Sequence, residues 1–294
     1  MALQELVLAL GDEIQDPEEE TFVLFSQSIP SHNLGFVDAK AQNLEVTISG
    51  RDLDITQSPG LLSSNRQGGT TGAVVWKITP LFAEWITSDD NILFRASVLD
   101  RTSQVLELGC GISGIVAIAL APKIDKYIAT DQAYVFKLLK SNIEKNAFAQ
   151  RVSGKAKHCS PVPKKSNTEI IALDWETSSA ANLSMLIGGR LENENFSGID
   201  AIVACDCIYN EAIVESFIRT CTEVSQLANS SSNRKPTICI IAQQLRSDLV
   251  FQAWLSAFHE RFRVWRIPDV FLIEALRQPS GFVIHIGILR EAYS

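Results

Sequence analysis

The sequence predicts an α/β fold: a seven-stranded sheet flanked by helices, preceded by an N-terminal β-hairpin extension. Three observations carry this expectation. From Val105 onward, short β-branched runs alternate with helix-length amphipathic segments, the pattern of a parallel sheet joined by crossover helices. Before it, Leu44–Ile48 and Leu53–Thr56 alternate apolar and polar residues around Ser49-Gly50-Arg51-Asp52, which reads as a hairpin. Finally, 46% of the 294 residues are hydrophobic, enough to build a large core and too many for a disordered chain.

The elements follow in order. Val105–Gly109 is the first core strand, with a helix starting near Ser113, and Lys126–Asp131 is the second. Tyr134–Asn146 carries Val135, Leu138, Leu139 and Ile143 at helical spacing. Strands at Glu169–Trp175, Ile199–Cys205 and Thr237–Ala242 alternate with helices expected near 211–227 and 248–260. Phe262–Arg266 and Phe282–Leu289 complete seven strands, the last one, after a long excursion, expected to insert at the sheet edge. Pro80–Ile86 reads as a short helix leading into the core. The chain divides into an N-terminal β extension and loop at 1–70 and a catalytic-type domain at 71–294.

Composition narrows the function. Lys and Arg number 26 against 34 Asp and Glu, a net charge of −8, so the surface repels phosphate backbones and direct nucleic-acid binding is not expected. No run approaches the roughly 18 apolar residues of a membrane span. The first ten residues lack a basic segment and carry Glu5 within their apolar stretch, unlike a secretory signal. Six cysteines in a chain of this length form no dense framework and are read as reduced, mostly buried thiols, which places the protein in the cytoplasm, with the nucleus as the alternative. No general base is assigned, because none of His32, His158, His259 and His285 stands in a recognisable motif, and no metal site is expected. His158 lies beside Cys159 in a loop with Lys155, Lys157, Lys164 and Lys165, which reads as a solvated basic loop.

Gly109-Cys-Gly-Ile-Ser-Gly114 satisfies G-x-G-x-x-G between an expected strand and an expected helix. Asp131 follows Gly114 by seventeen residues, at the next strand end, where a carboxylate can accept both hydroxyls of a ribose. A nicotinamide-dependent oxidoreductase would share both features. Glu107 separates the readings, because a carboxylate in a buried strand needs a cationic partner. S-adenosylmethionine carries an amino group that can supply one, whereas a pyrophosphate would be repelled. The oxidoreductase alternative also leaves Asp206-x-x-Tyr209 unexplained.

Together, Val105-Leu-Glu-Leu-Gly-Cys-Gly-Ile-Ser-Gly114, Ala129-Thr-Asp131, Leu173-Asp-Trp175 and Cys205-Asp-Cys-Ile-Tyr209 resemble the ordered motifs of seven-strand, Rossmann-like class I S-adenosylmethionine-dependent methyltransferases. More narrowly they resemble the lysine methyltransferase group with Asp-x-x-Tyr after strand four, and Thr71-Gly-Ala-Val-Val-Trp76 resembles that group's entry segment. The run Trp76–Trp85, Leu120-Ala-Pro and Tyr127–Gln132 are most similar to the fungal ribosomal lysine N-methyltransferase 5 family.

That resemblance implies a methyltransferase domain at 71–294 with S-adenosylmethionine as cofactor. It implies that Gly109, Cys110 and Gly111 wrap the methionyl part, Asp131 holds the ribose and Trp76 closes one wall. Trp175 would pack on the adenine and Cys205 would line the site near the sulfonium. Asp206 and Tyr209 are the candidate catalytic residues: the carboxylate draws in and orients a substrate ammonium while the ring walls a narrow channel. Asp206 as a plain helix cap is the alternative role. The implied activity is protein-lysine N-methylation, with a basic ribosomal protein as the expected partner and an elongation factor or chaperone as the alternative substrate. The acidic surface suits a basic partner through complementary potential.

Overall fold

The computed structural model describes residues 2–30, 35–64, 69–152, 166–178, 198–228 and 235–290. His32, the lysine loop with His158 and Cys159, Gly188-Gly189 and the Ser/Asn-rich loop at 229–233 lie outside them.

The hairpin forms as predicted, β1 (Asn43–Ile48) pairing antiparallel with β2 (Arg51–Thr56). The main sheet has seven strands: β3 (Gln104–Leu108), β4 (Lys126–Asp131), β5 (Thr168–Ala172), β6 (Ala201–Cys205), β7 (Ile238–Gln244), β8 (Phe262–Arg266) and β9 (Phe282–Leu289), in the order β5-β4-β3-β6-β7-β9-β8. Pairings from β5 through β7 are parallel, and β9 runs antiparallel to both β7 and β8. The helices Ile78–Thr87, Ile115–Leu120, Phe136–Val152, Val214–Ala228 and Asp248–Arg261 match the expected positions. Central strands are apolar on both faces because helices cover both: every residue of β3, β6, β7 and β9 is buried.

Two expectations need correction. The last strand does not sit at the sheet edge. Phe282-Val-Ile-His-Ile-Gly-Ile-Leu289 has no polar face to give to water, so it inserts between β7 and β8. The edge falls to β8, whose Arg263 and Arg266 tolerate partial exposure.

The N-terminal stretch, expected as a β extension, begins instead with two helices, Ala2–Leu10 and Pro17–Phe25. The second carries a strong start signal: Asp16 caps the amides of Glu18 and Glu19, Pro17 occupies the first turn, and three glutamates face the positive helix end. These helices pack into the core through Leu6, Leu10 and Leu24, each at most 4% exposed. They also cover the edge strand, with the Ile14 amide donating to the Val264 carbonyl at 2.8 Å. Glu13 pairs with Arg263 and Arg290, and Glu20 with Arg266 and His285.

Burial alone would raise the Glu20 carboxyl, but His285 and Arg266 outweigh it and hold it below its ordinary range. A depressed folded-state carboxylate contributes stability above its unfolded value that is lost as pH falls through the folded one. Glu20→Gln is therefore expected to cost about 1–2 kcal/mol at pH 7, and less at pH 3, by denaturant melts.

Candidate functional site

The C-terminal ends of β3, β4 and β6 meet where the sheet order reverses, the place where open α/β sheets bind ligands. A cleft opens there, with about 970 Å³ of empty volume including its mouth. All eight residues expected to hold a cofactor, and the pair Asp206 and Tyr209, line this one cleft.

The glycine loop leaves β3 as a tight turn. Gly109 and Cys110 both donate their amides to the Thr130 carbonyl, at 3.0 and 3.1 Å, and Ile112 donates to Gly72 at 2.9 Å. Gly111 donates to Asp131 Oδ2 at 2.8 Å, while Asp131 Oδ1 accepts from the Gln132 amide at 2.7 Å. The amides of Gly109, Cys110, Gly111 and Ile112 are thus engaged within the protein. The contacts also orient Asp131 at its strand end and fold the Thr71–Trp76 segment across the loop.

Gly109 has φ +70°, and a Cβ there would lie 2.7 Å from Cys207 Sγ and 3.3 Å from the Trp175 ring. Gly109→Ala should weaken cofactor affinity at least about tenfold, through strain and collision in the floor of the cleft, as equilibrium titration can measure.

Glu107 is 2% exposed and faces the cleft. Its expected isolation is only partial, since Tyr127, fully buried on β4, donates its hydroxyl to Oε2 at 2.8 Å. Burial nevertheless raises the carboxyl to about 8, with Asp131 adding to the rise and Tyr127 opposing it. A buried acid held so far from its ordinary range fits a site that receives a cation. Trp175 packs edge-on to Phe217 at 5.2 Å, and its Nε1 is buried without a hydrogen-bond partner. Both features match a ligand that offers an ammonium at one end and a heteroaromatic base at the other.

The cysteines behave as packing groups. Burial pushes the thiols of Cys110, Cys205 and Cys207 well up, so they are neutral and poor nucleophiles. Cys207 donates to the Leu108 carbonyl at 3.1 Å. Among the described residues no group of three or more His, Cys, Asp or Glu could hold a metal ion.

Asp206 ends β6 in a left-handed turn, φ +58°, its amide donating to the Ala242 carbonyl at 2.8 Å. It is not a helix cap. Asn210 takes that role, accepting from the Ala212 amide at 3.0 Å. Sequence reasoning missed the partner of Asp206. Arg246 donates from Nη1 to Oδ1 at 2.9 Å and from Nη2 to Oδ2, and the Gln244 amide donates to Oδ1 at 3.2 Å. Burial raises the Asp206 carboxyl and the guanidinium opposes that rise. The Arg246 guanidinium also lies 4.9 Å over the Trp76 ring, whose Nε1 donates to the Thr71 carbonyl at 3.1 Å. Phe36 packs on the same indole at 4.4 Å, and Tyr209, 43% exposed, stands at the mouth.

The fold and this cleft define a class I methyltransferase that takes S-adenosylmethionine. Glu107 would receive its amino group, Asp131 its ribose and Trp175 its base. The family model for lysine methyltransferases matches residues 55–255, and the chain belongs to that family.

The chain is similar to two proteins named as lysine methyltransferases and to proteins with other names. A ribosomal lysine N-methyltransferase 5 of Zygosaccharomyces rouxii is 34% identical over 67% of this chain and 67% of its own length. One of Vanderwaltozyma polyspora is 28% identical over 87% of this chain and 92% of its own. A Schizosaccharomyces pombe protein named diaminohydroxyphosphoribosylamino-pyrimidine deaminase is 28% identical over 91% of this chain, which spans 56% of that protein's length. Among solved structures, an S-adenosylmethionine-dependent methyltransferase of Streptococcus mutans aligns over 84% of this chain and 56% of its own, at TM-score 0.45 and 11% identity.

Proposed function

We propose that this chain transfers a methyl group from S-adenosylmethionine to a lysine of a ribosomal protein, with Asp206 and Tyr209 receiving the lysine. The observation that carries the lysine reading is the arrangement of the cleft mouth: an exposed phenol and an indole flank a passage whose base holds a buried carboxylate. The names of the Zygosaccharomyces and Vanderwaltozyma relatives support a ribosomal acceptor. A chain of net charge −8 suits a lysine-rich partner, chiefly through encounter and orientation. No described helix is long and apolar enough to cross a membrane, and the place of action we favour is the cytoplasm.

When bound, the cofactor supplies a methyl group made electrophilic by its sulfonium. The protein's own residues do the rest by positioning. Tyr209 and Trp76 confine the lysine stem, and their π faces favour its ammonium on entry. Asp206 fixes the nitrogen's direction. Desolvation in this apolar passage then lowers the amine's proton affinity, so its proton passes to water and the nucleophilic neutral form is reached near neutral pH.

The test is labelled-methyl transfer into lysate and into purified ribosomes from a strain lacking this protein, with the labelled band identified by mass spectrometry. Label in a ribosomal protein supports the reading. Label in a soluble factor instead would move the substrate to an elongation factor or chaperone.

A further inference from the structure

We propose that Arg246 is the positioning residue of the acceptor site, holding the Asp206 carboxylate in one fixed orientation toward the incoming lysine. This rests on the reading that Asp206 receives that lysine. The Asp206 side chain is wholly buried, so nothing from solvent fixes its plane. Arg246 does so with both arms of its fork on both carboxylate oxygens, a geometry that sets rotation as well as charge. It acts as a brace rather than a plug, since it lines a smaller neighbouring cavity shared with Tyr209, while Asp206 lines the cleft.

Arg246 is itself held from two sides. Its guanidinium rests on Trp76, and the chain passes against it at Gly35, where φ is +91°. A Cβ at Gly35 would lie 2.6 Å from Arg246 Nη2 and 2.4 Å from Gln244 Oε1. Gly35–Val37 is tied down by the Lys77 amide donating to the Gly35 carbonyl and the Val37 amide donating to Val75. The N-terminal segment thus reaches the acceptor site at Gly35, against Arg246, and at Phe36, against the Trp76 ring. The other groups facing Asp206 are the neutral thiols of Cys205 and Cys207, with Glu107 of β3 beyond them. Arg246 is therefore the cation that opposes the rise burial imposes on this carboxyl.

The experiment measures kcat, KM and the acid limb of the pH–rate profile for wild type, Arg246→Lys, Arg246→Gln and Gly35→Ala, with S-adenosylhomocysteine affinity and thermal melting alongside. If wild type itself labels no lysine, the underlying reading fails, independently of the variants.

With wild type active, Arg246→Gln should lower kcat about 100-fold with cofactor affinity within about threefold. Its acid limb should move up by about one pH unit or more, because the carboxyl loses its opposing charge. Arg246→Lys should recover about tenfold of the loss and show an intermediate limb, keeping charge without the fork. Gly35→Ala displaces Arg246 without removing it and should move the limb the same way, which keeps the test decisive if Arg246→Gln melts below the assay temperature. A kcat within threefold of wild type in Arg246→Gln overturns the proposal. So does an unmoved acid limb in Gly35→Ala, or a loss that Lys does not rescue.

Discussion

S-adenosylhomocysteine, which keeps the amino group of the cofactor, is expected to bind wild type about sixfold more tightly at pH 7.5 than at pH 6.5, with about 0.8 proton released at pH 7. The cause is Glu107. Its carboxyl, raised to about 8 by burial, is mostly protonated in the free protein at neutral pH and must ionise to pair with an ammonium. Affinity should peak near pH 8, above which an α-amino group begins to lose its own proton. Glu107→Gln should flatten this dependence and weaken binding at pH 7.5 by about 100-fold, the loss of a buried charge-assisted hydrogen bond.

The same shift reads out in stability. A carboxyl with a raised folded-state value contributes stability below its unfolded value, which is lost as pH rises through the folded one. Ligand-free Glu107→Gln should therefore gain on wild type between pH 5 and pH 8.5 in thermal melts. Calorimetry in two buffers of different ionisation enthalpy checks the proton count. Binding without proton release, unchanged by Glu107→Gln, would remove Glu107 from the cofactor's amino group.

The second large effect lies at Asp206. Asp206→Asn should lower methyl transfer at least about 100-fold while cofactor affinity stays within a few fold, since the substitution removes charge at the acceptor end of the cleft. Asn is the informative replacement, because it tolerates the left-handed backbone at φ +58° and keeps the side chain's shape. Asp206→Ala goes further. It strands the Arg246 guanidinium, 22% exposed, without its partner, and should destabilise the fold by about 3 kcal/mol. Loss of cofactor binding in Asp206→Asn would instead place that residue among the groups that hold the cofactor.

Much of this site was legible because its residues sit within short motifs at strand ends. The G-x-G-x-x-G turn, Asp131 and Asp206-x-x-Tyr209 each announce themselves over a few residues, and strand alternation then brings them to one side of one sheet. What was not legible is non-local. Tyr127 reaches Glu107 only through the parallel register that sets Glu107 against Ala129, two residues along β4 on the same face. Arg246 lies forty residues beyond Asp206, after β7, in a segment with no motif of its own. The pairing becomes visible only once the two strand ends stand side by side.

The N-terminus shows a different failure. Asp16-Pro17-Glu-Glu-Glu20 is a readable helix start, yet the alternating hairpin downstream coloured the whole stretch as β. The true partners of Glu13 and Glu20 are arginines and a histidine in the last two strands or directly after them, more than 240 residues away in sequence. The misplaced final strand has a related cause: sequence shows that β9 is apolar throughout, but only burial on both faces shows that such a strand cannot be an edge.

The central claim is that the acceptor is a lysine ε-amine presented to the Asp206 end of the cleft. The most direct measurement is total hydrolysis of the labelled product formed with ribosomes and labelled S-adenosylmethionine, followed by identification of the modified amino acid. The account predicts label in methylated lysine, in a protein band, absent when Asp206→Asn replaces wild type. Label in RNA, in a small molecule, or in methylated arginine or histidine would contradict it.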